Sequence, residues 1–210
     1  MSHSAPPCPV RRKPAFGLLA IAAFALMTGC LRPSPYLDAA TREVPRNEFK
    51  AANPPRVAHL VFEFQTKGAP NARVTKSLVA QVTQQIKDCG LFSDIDAAVS
   101  PDAAMLSVTL NNVPITDQKD AMGQGFATGF TFGLVGTAVT DGYICTVSYL
   151  APGKTTPIVA TARHAIHTTI GNASAPKDAI PMADYHEAVG TMVRQVLSNA
   201  LRDLSRDAQF

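Results

Sequence analysis

Asp94 and Asp96 stand two residues apart, a spacing that sets both carboxylates on one face of a β-strand, where one can serve as acid and the other as base. They also lie beside a turn, and a wet strand edge accounts for them as well. His164 and His167 are three apart. On a helix both imidazoles would reach one metal ion, but Ile158, Ala160, Ala162, His164 and Ile166 alternate as a strand does, and a strand sends the two histidines to opposite faces. No metal site is expected, and the imidazoles read as solvated or core-edge side chains. Asp184, His186 and Glu187 cluster where the last helix begins, and acids there complement the positive end of the helix dipole. Gly123, Gly125 and Gly129 lack the spacing of a phosphate-cradling loop, and Gly-x-Ser-x-Gly, His-Glu-x-x-His and paired Cys-x-x-Cys motifs are absent. No catalytic residue and no cofactor follows from these groups, and an enzyme is not expected.

The remaining reactive side chains are cysteines, four in all. Arg11, Arg12 and Lys13 precede an apolar run over residues 15–27, which ends in Thr28-Gly29-Cys30. Cations, about a dozen apolar residues and a small-residue site form the pattern of a secretory signal segment. The run is shorter than the roughly twenty apolar residues that span a bilayer. Leu26-Met27-Thr28-Gly29-Cys30 resembles the lipobox of bacterial lipoproteins, with Met27 where Leu is usual. The resemblance implies cleavage between Gly29 and Cys30 and lipidation of the Cys30 thiol, so that the acylated chain is held on a membrane. A plain signal peptide with a chance cysteine is the simpler alternative. Leu31 stands where an Asp retains lipoproteins in the inner membrane under the enteric sorting rule, so the outer membrane, facing the periplasm, is the expected location. In that oxidising compartment Cys89 and Cys145 either form one disulfide or stay as two buried thiols.

The formal charge of +3 is matched by Arg11, Arg12 and Lys13 in an acid-free leader, so residues 30–210 are neutral overall. That removes the surplus of cations that nucleic-acid binding requires. Tryptophan is absent, which argues against a sugar-stacking platform. About 180 residues after cleavage suit one domain with a tether. The divisions read as a signal peptide over 1–29, a tether over 30–55, a single α+β domain over 56–206 and a tail over 207–210. Pro33, Pro35, Pro45, Pro54 and Pro55 carry the tether assignment, because proline fixes φ and lacks a donor.

Within the domain, period-two alternation predicts strands near 57–64, 92–99, 105–111, 142–150 and 157–170. Leu78, Val79, Val82, Ile86 and Cys89 make one apolar stripe on a helix from about Ala72, which Gly90 would end in a left-handed cap. A second helix runs from about Met182 to Ser205, with Tyr185, Val189, Met192, Val193, Val196, Ala200 and Leu204 on one face. The expected architecture is α+β: about five strands in an antiparallel or mixed sheet, with two helices packed on one face. Over residues 57–113 the strand–helix–strand–strand order, with Gly90-Leu91-Phe92-Ser93, resembles small α+β domains of envelope lipoproteins and the N-terminal domain of the Tol-system protein TolB. This implies a docking or assembly role and assigns no residue.

Residues 121–140 form a Gly/Phe-rich insertion without a charge. Gly125, Gly129 and Gly133 recur at spacing four, and Phe126, Phe130 and Leu134 follow the same spacing. On a helix these would be a small-residue face and an apolar face, as in close-packed membrane helices; on a strand they would be two sides. The stretch can fold back on the core, enter lipid or self-associate, or bind a partner through exposed apolar surface. The expectation is a non-enzymatic envelope lipoprotein that contacts membrane through Cys30 and itself or another protein through residues 122–139. Its rival is a small-ligand binder or hydrolase using a polar patch of Asp94, Asp96 and a histidine on the sheet face away from the helices.

Overall fold

In the computed structural model of this protein the described residues are 33–50, 55–96, 103–115, 138–170 and 174–210. They build one eight-stranded mixed sheet with two helices against one face, an α+β fold. The strands are β1 (Ser34–Leu37), β2 (Arg56–Thr66), β3 (Ala69–Pro70), β4 (Phe92–Asp96), β5 (Ala104–Ile115), β6 (Ala138–Leu150), β7 (Ile158–Thr169) and β8 (Ile180–Pro181). The helices are α1 (Ala72–Cys89) and α2 (Tyr185–Ser205).

The five expected strands are present as β2, β4, β5, β6 and β7. The higher count comes from β1, β3 and β8, each two to four residues long and each containing a proline, Pro35, Pro70 or Pro181. Such pieces carry no readable alternation, and proline argues against a strand unless its missing donor faces away from a ladder. Pro35 meets that condition. Asp38 N donates to Ala165 O, so even-numbered residues of β1 face β7, whereas Pro35 turns toward β8 and uses only its carbonyl, accepting from Met182 N at 3.0 Å.

β2, β4 and β5 are mutually parallel, with β2 between the other two, and α1 makes the crossover from β2 to β4. Lys67 and Gly68, both at positive φ, close the tight turn from β2 into β3, as a two-residue hairpin with right-handed strand twist demands. Asn71 caps α1 by accepting from Val74 N at 3.2 Å. Gly90 ends it at φ +74°, and a Cβ there would also press on the Arg46 guanidinium. At the start of α2, Asp184 accepts from Glu187 N while Glu187 accepts from Ala183 N, a reciprocal pair that satisfies two otherwise orphaned donors.

Register explains the core. Phe64 pairs with Leu110 and Leu110 with Cys145; Phe62, Val108 and Val147 form the next row. These side chains point at Leu78, Val82 and Ile86 of α1 and at Met192, Val196 and Leu204 of α2, in one apolar cluster. The burial on α2 is wider than its single stripe predicts, taking in Gln195, Leu197, Ser198 and Leu201.

The extra burial comes from residues 33–50, and here the tether expectation is corrected. Leu37 pairs with Ile166 and belongs to the core, Val44 N donates to the Ser198 hydroxyl at 3.0 Å, and Lys50 N donates to the Ser205 hydroxyl at 3.1 Å. Two serines on α2 thus satisfy backbone groups of a segment that proline content alone marks as a linker. The C-terminal tail is corrected too: the Phe210 ring packs edge-on against Tyr149 at 4.9 Å and against Phe92 at 6.0 Å.

Candidate functional site

The two helices lie side by side, joined by long polar side chains. Gln81 Nε2 donates to Gly190 O at 2.8 Å and Gln85 Nε2 to Arg194 O at 2.7 Å. Two hollows flank these bonds. One, of about 600 Å³, lies toward residues 43–49 and includes Arg46, Phe49, Gln85 and Cys89 in its wall. The other, of about 660 Å³, opens near the helix N-termini over the sheet and includes Asn71, Asn112, Tyr143, Tyr185 and Arg194. Gln85 Oε1 is buried without a hydrogen-bond partner.

At the floor of the second hollow the Tyr143 and Tyr185 hydroxyls lie 3.0 Å apart, and Tyr185 Oη donates to Asp141 Oδ2 at 3.4 Å. β6 places Tyr143 and Asp141 two residues apart on the helix-facing side, and the first turn of α2 brings Tyr185 over them. Burial raises the Tyr143 hydroxyl far above the ordinary phenol range, and the neighbouring Tyr185 and Asp141 push the same way. Burial raises Tyr185 as well. Both therefore stay protonated near neutral pH and can orient a polar group by hydrogen bonding, but neither is a ready base. In the sequence Tyr143 reads only as an inward strand residue and Tyr185 only as part of an apolar face; nothing there signals that their hydroxyls meet.

The histidines are on opposite faces of β7, as the strand reading requires, but they are buried rather than solvated. On the helix side His164 Nδ1 accepts from Ala165 N at 2.7 Å, which leaves Nε2 carrying the proton and donating to Gln195 Oε1 at 2.5 Å. On the other side His167 Nδ1 meets the Thr140 hydroxyl at 3.0 Å. Burial lowers both proton affinities. The His164 contact to Gln195 and the nearby Asp38 oppose this for His164, and Asp38 opposes it for His167.

Asp94 sits on the outer strand β4, 3.8 Å from Lys87 Nζ in an exposed pair of little energetic weight. β2, β5 and β6 stand between it and the histidines of β7, whereas His59 of the adjacent strand β2, its Nδ1 buried without a hydrogen-bond partner, pairs in register with Asp96. Cys89 and Cys145 are free buried thiols, not a disulfide. Cys89 Sγ donates to Ile86 O, and burial raises its proton affinity, opposed by a hydrogen bond with Leu91 and by Arg46. Burial pushes the Cys145 thiol up to about 12. Both behave as small apolar core residues. Among the described residues no three His, Cys, Asp or Glu side chains gather as a metal-binding group. Gly29 and Cys30, and Gly125, Phe126, Gly129, Phe130, Gly133 and Leu134, lie outside the described residues.

The arrangement defines an α+β domain with a polar groove between two helices on one side of a mixed sheet. No family model and no curated protein matches the chain. Among solved structures it is similar to a PelC dodecamer from Paraburkholderia phytofirmans, at 12% identity over 84% of this chain and 100% of that one, with a TM-score of 0.32. At that score the likeness carries no conclusion about function.

Proposed function

We propose that this protein is a membrane-anchored envelope lipoprotein whose domain works by contact with protein or lipid rather than by catalysis. The observation that carries the reading is the run Leu26-Met27-Thr28-Gly29-Cys30 behind three cations and an apolar stretch. The neutral charge of residues 30–210 and the paired, protonated tyrosines of the groove are consistent with it. Among the described residues no helix is long and apolar enough to cross a membrane. The anchor in this reading is acyl chains, at about 0.8 kcal/mol per buried CH₂, and more than one chain is needed for stable attachment. Leu31, in place of Asp, favours the outer membrane, with the domain in the periplasm.

Cys30→Ala is expected to move the protein from the detergent-requiring membrane pellet to the soluble periplasmic fraction. A variant that still pellets and still needs detergent would remove the acyl anchor from the proposal. Residues 122–139 are the proposed route of self-association or of contact with another envelope protein, on the strength of their charge-free run with glycines at spacing four. Photo-crosslinking in intact cells from a site beside Phe130 should yield a protein adduct, either with a second copy or with a distinct partner. Adducts to lipid alone would point to membrane contact instead.

A further inference from the structure

We infer that the hollow near the starts of α1 and α2 is a binding site for a small organic cation, an ammonium group joined to an apolar body. The inference concerns the folded domain alone and does not depend on the fate of Cys30.

Hydrogen-bond accounting gives the first argument. An ionised carboxylate only accepts, so the Tyr185 hydroxyl is the donor in its 3.4 Å contact with Asp141 Oδ2. With that proton used, the 3.0 Å contact between the phenols has Tyr143 donating to the Tyr185 oxygen. The Asn112 amide donates in turn to the Tyr143 oxygen. Each of these protons is directed toward Asp141. What is left over is acceptor capacity, a lone pair on the Tyr185 oxygen and those of the carboxylate, and it calls for a ligand that donates. Tyr143 is 2% exposed and Tyr185 46%, so the chain starts in the core and ends where a ligand can reach it.

Charge gives the second. Among the described residues no Lys, Arg or His pairs with Asp141. Arg194 also lines the hollow, but it stands nine positions along α2 from Tyr185, about 14 Å at the rise of a helix. Its guanidinium is already held by Glu43 at 3.4 Å and by the Thr191 hydroxyl at 2.9 Å. Helix N-termini attract anions, yet both of these are closed, by Asn71 on Val74 N and by Asp184 on Glu187 N, and Glu187 adds a carboxylate to the first turn of α2. A positive group is therefore the one favoured beside the phenols.

Shape gives the third. A volume of about 660 Å³ suits a small molecule, and Val74, Leu78 and Val189 supply apolar wall. An apolar body lies against these side chains while its ammonium donates to the Tyr185 oxygen, one hydrogen bond from Asp141.

The test titrates full-length protein, in nonionic detergent, with three probes of similar size by calorimetry, the detergent solution serving as blank. The probes are phenethylamine, its neutral analogue phenethyl alcohol and the anionic hydrocinnamate. Phenethylamine is expected to bind about tenfold more tightly than the alcohol, as a charged hydrogen bond warrants. Hydrocinnamate is expected to bind more weakly than either. Asp141→Asn should remove the preference for the amine over the alcohol, and Tyr185→Phe should reduce it several-fold. Urea midpoints confirm that each variant folds, and either variant alone decides the point. Absence of phenethylamine binding, equal binding of the alcohol, tighter binding of hydrocinnamate, or a preference that survives in a folded variant would each overturn the assignment.

Discussion

Leu37→Ala is expected to destabilise the fold by about 3 kcal/mol, within the range of roughly 2 to 5 kcal/mol measured for removing a buried leucine side chain. Leu37 is fully buried, pairs with Ile166 across β1 and β7, and belongs to the same apolar cluster as α2. Truncation leaves a cavity between the sheet edge and the helix, in a place held by hydrogen bonds on both sides and unable to collapse freely. Urea unfolding of the protein with and without the substitution measures the change. The experiment separates two descriptions sharply. A leucine in a solvated tether would cost nothing on replacement, so a midpoint unchanged from the parent would refute the assignment of residues 33–50 to the domain.

Stability is also expected to fall steeply as the medium is acidified below about pH 6.5. His164 is fully buried and His167 is 3% exposed, and burial lowers the proton affinity of both from the ordinary value of 6.5. Below that value the unfolded chain takes up protons that the folded chain refuses, so the unfolded state is favoured as pH drops. Each histidine contributes up to about 1.4 kcal/mol per pH unit, and the two together about 2.7 kcal/mol, until the pH reaches their depressed values in the fold. Asp38, close to both, limits the depression and hence the depth of the effect. Urea midpoints between about pH 7 and pH 5 should show the slope, and His164→Asn combined with His167→Asn should reduce it. A parent profile without slope over that range would show that both imidazoles accept protons inside the fold.

The five long strands and both helices are legible because each repeats its apolar positions at a period that only one backbone geometry can place on one face. The caps are legible as well: Asn71, Gly90 and Asp184 sit where their chemistry closes a helix end. The short strands with Pro35, Pro70 and Pro181 are not legible. Two to four residues define no period, and a proline's tolerance depends on which neighbour its missing donor faces.

Function divides along the same line. The charge balance, the apolar leader ending in Cys30 and the charge-free glycine run are properties of residue order, so the sequence by itself determined them and the envelope expectation built on them. Which side chains meet was decided only by tertiary structure. Pairing of β6 and β7 and the seat of α2 bring Tyr143 to Tyr185 and His164 to Gln195, and keep Asp94 away from both histidines. Residues 33–50 joined the fold for the same reason: Leu37 and Val44 are apolar in any chain, but only an existing sheet edge and helix flank gave them somewhere to be buried.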